Sequence, residues 1–184
     1  MSLNISYQFN DITLDKTITP IWAEQIKRWS QLDEASFVLA EAVSKNMDFF
    51  GEGFDQLVVV STQGSLHTDR LFVNDVKISP SNFVHTLPNV RSIVFSVLTK
   101  WEGPLFCLSQ GTHSLVSFLN EARLVHQDQK TLVISLNKLN NIHQCDFYLV
   151  GKNCKNSQYT FTSADQIESD FTFRSKLMSL RKMN

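Results

Sequence analysis

Two stretches of the 184-residue chain limit its fold more than any others: Gln56–Thr62, "QLVVVST", and Thr131–Leu136, "TLVISL". Both are apolar at nearly every position and rich in β-branched residues, whose stiff χ1 suits the pleated backbone. A strand with water on one face alternates apolar and polar residues, so a run without alternation is buried on both faces. Covering both faces of a sheet takes helices above and below it, and helical patterns lie between the strands. "DEASFVLAEAVSKNM" is one, with Asp33 as its cap and Phe37, Val38, Ala42 and Val43 on one side. Others are expected over "IWAEQIKRW", opened by Pro20, from about Val90 to Trp101, over "HSLVSFLNEARLVHQ", and in the amphipathic tail "QIESDFTFRSKLMSLRKMN". "ISYQF", "LFCLS", "DFYLVGK" and "QYTFTS" read as further strands, and the stretch between Gln63 and Val90 as loop and short helix. The expectation is an α/β fold in one domain spanning 1–184.

Bulk properties remove several function classes. A net charge of −1 offers no electrostatic case for nucleic acid or a membrane surface. Three cysteines without a CxxC pair argue for a reducing compartment and against a zinc site or disulfide framework. The N-terminal stretch lacks the basic and apolar regions of a signal peptide. No apolar run approaches the ~20 residues of a membrane span. The expected location is the cytoplasm, with no cofactor or metal.

The segment Gly103–Phe118, "GPLFCLSQGTHSLVSF", carries the chemical question. A Gly-Pro turn, a short strand, a small-residue elbow and a helix form the architecture that enzymes use to present a nucleophile. Its tip holds Gly111, Thr112 and His113, and no GxSxG pattern is present. Thr112 and His113 are sequence neighbours at a helix start and point in different directions, so adjacency does not make a dyad. Ser114 is placed to satisfy free N–H groups of the helix. Cys107 sits mid-strand, where a free cysteine behaves as a small hydrophobe. His67, His85, His113, His126 and His143 make no HExxH, and "GEGF" at Gly51 is too short for a dinucleotide fingerprint and precedes a strand.

Four pieces in order carry a resemblance: "VVVSTQGSLHTDRLF", then "SPSNFVHTLPN" with Phe83 and His85, then the helix that ends at "GP", then "LSQGTHSLVSFLNEARLV". Over about residues 35 to 150 the chain resembles the N-terminal half of a β-ketoacyl synthase, of the thiolase-like condensing enzymes. It is similar to the divergent chain-length-factor-type subunits of aryl-polyene and other type II polyketide clusters. The resemblance implies a thiolase-like half-fold, a mixed, mostly parallel sheet with helices on both faces. Active members carry a cysteine at the elbow, and that position falls on Thr112. Their two catalytic histidines lie in a C-terminal half beyond this chain, and neither His85 nor His113 is their equivalent. The implied role is a non-catalytic subunit that pairs with a partner ketosynthase or with itself in fatty-acid or polyketide-like biosynthesis, with an acyl carrier protein as a further implied partner. Leu105, Phe106, Cys107, Leu108 and Ser109 would form a partner-pairing strand. Gln110, Gly111, Thr112, Phe83 and His85 would join them in an interface and acyl-tunnel wall. Two alternatives stay open from the residues: a small acyl hydrolase or acyltransferase using Cys107, or Thr112 or Ser114 with His113, and a homodimeric scaffold with no acyl-chain role.

Overall fold

The computed structural model describes residues 2–62, 66–74, 87, 89–125, 128–140, 142–162, 165 and 167–183. In chain order the strands are β1 (Leu3–Gln8), β2 (Asp11–Ile12), β3 (Gln56–Ser61), β4 (Leu105–Leu108), β5 (Thr131–Leu139), β6 (Ile142–Gly151) and β7 (Tyr159–Phe161). The helices are α1 (Glu34–Lys45), α2 (Leu66–Asn74), α3 (Val90–Thr99), α4 (Ser114–Val125) and α5 (Asp170–Met183). One sheet runs in the order β4-β3-β5-β6-β1-β7, with β2 attached to β6. Pairing is parallel at β4–β3–β5 and antiparallel from β5 outward through β6, β1 and β7. The sheet is therefore mixed, as expected. The antiparallel share is larger than the apolar strands imply, because burial on both faces says nothing about the direction of a neighbour.

Alternate residues of β3 serve two separate cores. Leu57 and Val59 face a cluster with Phe37, Leu39 and Val43 of α1, Phe95 and Leu98 of α3, and Phe147 of β6. Val58 and Val60 face a second cluster with Leu115 and Leu119 of α4, Phe173 and Leu177 of α5, and Tyr148 of β6. Each fully buried Val, Leu or Phe side chain is worth roughly 1.5–3 kcal/mol relative to exposure. Both faces of β3 and β5 thus carry the load that their unbroken apolar runs predict.

Asp33 caps α1 as expected, its carboxylate accepting the Ser36 amide at 2.9 Å. The helix expected after Pro20 does not form. Successive three-residue turns take its place, Ala23 N to Pro20 O, Gln25 N to Trp22 O and Trp29 N to Ile26 O, followed by a short 3₁₀ segment at Trp29–Gln31. The reason is tertiary. Trp22 is fully buried, packs edge-on against Phe37 at 5.3 Å and donates its indole N–H to Glu41 at 2.9 Å, while adjacent Ile21 is exposed. Anchoring one side chain this firmly to α1 overrides a modest helical propensity.

Candidate functional site

The elbow lies where β4 leaves the sheet edge. Strand β4 pairs with β3 from Leu105 opposite Leu57 to Leu108 opposite Val60, and the Pro104 carbonyl extends the ladder by accepting the Leu57 amide at 2.9 Å. Among the described residues no strand covers its other edge. Leu105, Cys107 and Leu108 are half-buried, Phe106 is 51% exposed, and Ser109, Gln110, Gly111, Thr112 and His113 are exposed. Phe83, His85 and His126 lie outside the described residues.

Gly111 turns the chain with φ +64°, a left-handed conformation that disfavours any side chain. Ser114, the first residue of α4, is buried, and its hydroxyl is consumed by the turn. It accepts the Gln110 amide at 2.7 Å and lies 3.0 Å from the Gly111 carbonyl and 3.3 Å from the Ser61 carbonyl. A serine so engaged holds the elbow closed and has no exposed oxygen with which to attack a substrate.

The first amides of α4 are also taken. Asp170, which opens α5, accepts Leu115 N at Oδ2 and Val116 N at Oδ1, both at 2.9 Å, while its own amide donates to the Thr112 carbonyl at 2.8 Å. Burial pushes the Asp170 carboxyl above its ordinary value, and the helix amides and His113 pull the other way. Helix-start N–H groups at an elbow are the usual stabilisers of a developing oxyanion. Here they already bind an internal carboxylate, which would repel a second negative charge. No local sequence signal links Asp170 to amides 54 and 55 residues earlier, so reading the sequence missed it.

Cys107 sits in β4 with its side chain near Ser92 and Arg91. Burial pushes its thiol above the ordinary value, against the opposing pull of the Ser92 hydrogen bond and the Arg91 charge. That keeps the sulfur protonated, the less nucleophilic form.

Beside the elbow, a crevice crosses the carboxyl ends of the parallel strands. Its larger lobe, about 140 Å³, is bounded by the start of α1 (Asp33, Glu34, Ala35, Val38), by Ser61 and Thr62, by Arg91, and by Asn137 and His143 among others. A smaller lobe of about 70 Å³ shares Ser61, Arg91 and Leu136 and adds Val59, Cys107, Leu108 and Ser109. Two ion pairs stand at its walls, Arg91 Nε to Asp33 Oδ2 at 3.2 Å and Lys138 Nζ to Glu34 Oε2 at 2.7 Å, with His143 Nε2 3.6 Å from the same Glu34 oxygen.

No protein-family model matches the sequence, and no curated protein matches it. Among solved structures, the chain superposes on a chain of the ketosynthase (ApeO) in complex with its chain length factor (ApeC) from Xenorhabdus doucetiae. The TM-score is 0.62 at 15% identity, over 84% of this chain and 81% of that one. The chain shares the fold of that chain. Among the described residues no helix is long and apolar enough to cross a membrane, and no three metal-ligating side chains converge.

Proposed function

We propose that this chain is a non-catalytic, chain-length-factor-like subunit that pairs with a partner ketosynthase, or with a second copy of itself, in type II fatty-acid or polyketide-like biosynthesis. The observation that carries the reading is the Asp170 carboxylate on the amides of Leu115 and Val116, directly behind an exposed Thr112. An acyl-transfer elbow needs a nucleophile, a base and free donors for the oxyanion. This one presents a threonine hydroxyl with no hydrogen bond among the described residues, and its helix amides are occupied.

The edge of β4 supports the pairing half of the proposal. An edge strand presents a row of backbone donors and acceptors that proteins normally cover. Here Phe106 stands half-exposed beside it. The superposed structure is itself a ketosynthase with its chain length factor, which favours a ketosynthase as the partner. Phe106, Thr112 and the exposed elbow residues would then form the interface, with an acyl chain running along it.

Two measurements test this. Size-exclusion chromatography of the chain with a type II ketosynthase should show co-elution, or a dimer of the chain alone, and Phe106→Glu should abolish either without lowering the melting temperature. Intact-mass spectrometry after incubation with an acyl thioester should show no adduct on Cys107, Thr112 or Ser114. Condensation of acyl and malonyl thioesters by the isolated chain would overturn the proposal. An acyl adduct would favour a hydrolase or acyltransferase instead.

A further inference from the structure

We propose that the crevice across the carboxyl ends of β4, β3 and β5 is a binding site for a small uncharged amphiphile, with a carboxamide-like head at Ser61 and a short hydrocarbon tail between Cys107 and Leu136. The site does not rest on the non-catalytic reading of the elbow.

Its place in the sheet is the first argument. Of the two described helices between β3 and β4, α3 packs on the α1 face, whereas the helix that follows β4, α4, packs on the opposite face. Where successive connections leave an open α/β sheet on opposite sides, a crevice opens at the carboxyl ends of the strands, and ligands bind there. Both lobes lie at the carboxyl ends of these strands and share Ser61, Arg91 and Leu136 in their walls.

Size and lining set the ligand class. The smaller lobe, about 70 Å³, is about half the roughly 150 Å³ of an engineered cavity that admits benzene, so it limits the tail to a few carbons. Val59, Cys107, Leu108 and Leu136 make the smaller lobe mainly apolar, which places the hydrocarbon end there.

The charges at the walls are already matched, Arg91 with Asp33 and Lys138 with Glu34. Lys138–Glu34 is solvent-exposed, but an ionised ligand beside the buried Arg91–Asp33 pair would bring a charge without a counter-charge, or would have to break that pair, and both are costly away from water. Thr62 and Asn137 are bonded to each other. Ser61 lies on the same face of β3 as Leu57 and Val59, at the neck between the lobes, and its hydroxyl makes no hydrogen bond among the described residues. A hydroxyl both donates and accepts. An uncharged head that also does both, such as a primary amide, complements it.

The test is a titration of the ¹⁵N-labelled full chain with hexanamide, hexanoate and hexylamine, followed by amide chemical shifts. Hexanamide should give saturable shifts at Ser61, Leu108 and Leu136, and the two ionised analogues should bind about tenfold more weakly or less. Ser61→Leu, which blocks the neck, and Leu108→Phe, which fills the tail lobe, should each abolish the shifts while thermal melts report a folded chain. The proposal is overturned if hexanamide does not saturate, if either ionised analogue binds as tightly, or if binding survives in a folded filled variant.

Discussion

The carboxylate of Asp170 and the amide of Val116 meet at 2.9 Å across 54 residues of sequence, and this bond joins the last helix to the elbow. With its twin to Leu115 it satisfies two helix-start donors that would otherwise be buried without partners. Asp170→Ala should therefore destabilise the chain by about 1–3 kcal/mol, more than an exposed cap would cost, because the orphaned amides are buried. Asp170→Asn retains one acceptor and should cost less. Urea denaturation of the two variants checks the order, and equal losses would count against the capping role.

A second long-range contact ties α5 to the sheet. Arg174 donates from Nε to Asp146 Oδ2 at 2.6 Å and from Nη2 to Asp11 at 2.9 Å, and its guanidinium lies 5.0 Å from the centre of the Phe9 ring. Burial pushes the Asp146 carboxyl up to about 6, against the pull of Arg174. Removing one partner of a buried pair leaves a stranded charge, so Arg174→Met should cost about 3–5 kcal/mol near neutral pH. The loss should shrink toward about pH 5, because the stranded carboxyl then takes up a proton. The double variant Asp146→Leu/Arg174→Met should lose less than Arg174→Met alone, and a double-mutant cycle measures the difference.

Asp165 sets an acid limit on stability. Burial alone would raise its carboxyl, but hydrogen bonds from Lys176, Tyr159 and Thr162 hold it down at about 2. A carboxyl lowered on folding stabilises the protein above its unfolded value and loses that contribution as pH falls through its folded one. The melting temperature should accordingly exceed that of Asp165→Asn near neutral pH, and the gap should close as pH falls from 3.8 toward about 2. A gap that stayed constant over this range would show that the carboxylate charge is not the cause.

Two glycines near the elbow should fail for different reasons when replaced by alanine. At Gly111 nothing lies within 4 Å of an added Cβ, so only the φ of +64° resists, at about 1–2 kcal/mol. At Gly103 an added Cβ would run into the Trp101 ring, which packs on Phe54 with centroids 4.3 Å apart. Gly103→Ala should shift tryptophan emission as that ring is displaced, whereas Gly111→Ala should lower stability and leave the emission unchanged.

Much of the frame could be read from local chemistry. The unbroken apolar runs at Leu57–Val60 and Leu132–Ile134, the Asp33 cap and the strand–elbow–helix at Leu105–Val125 each depend on residues close in sequence. What escaped the reading depends on distant partners. Trp22 finds its pocket on α1, Asp170 finds the α4 amides, and Arg91 closes onto Asp33 across 58 residues. The crevice has the same origin, since its walls come from α1, β3, α3, β4, β5 and β6. Phe83 and His85 fall outside the described residues.

Strand β1, built from residues 3–8, is inserted between β6 and β7, which end at Gly151 and Phe161. Strand β1 therefore precedes in synthesis both of the strands that flank it. Until residue 151 has left the ribosome, Leu3, Ile5 and Tyr7 lie on a strand with two unpaired edges, and until residue 161 one edge still waits for β7. Non-local pairing of this kind slows folding and prolongs the exposure of sticky strand edges. Nascent chains stalled short of β7 should thus depend on a chaperone, or on sequestration of β1, far more than the finished protein does.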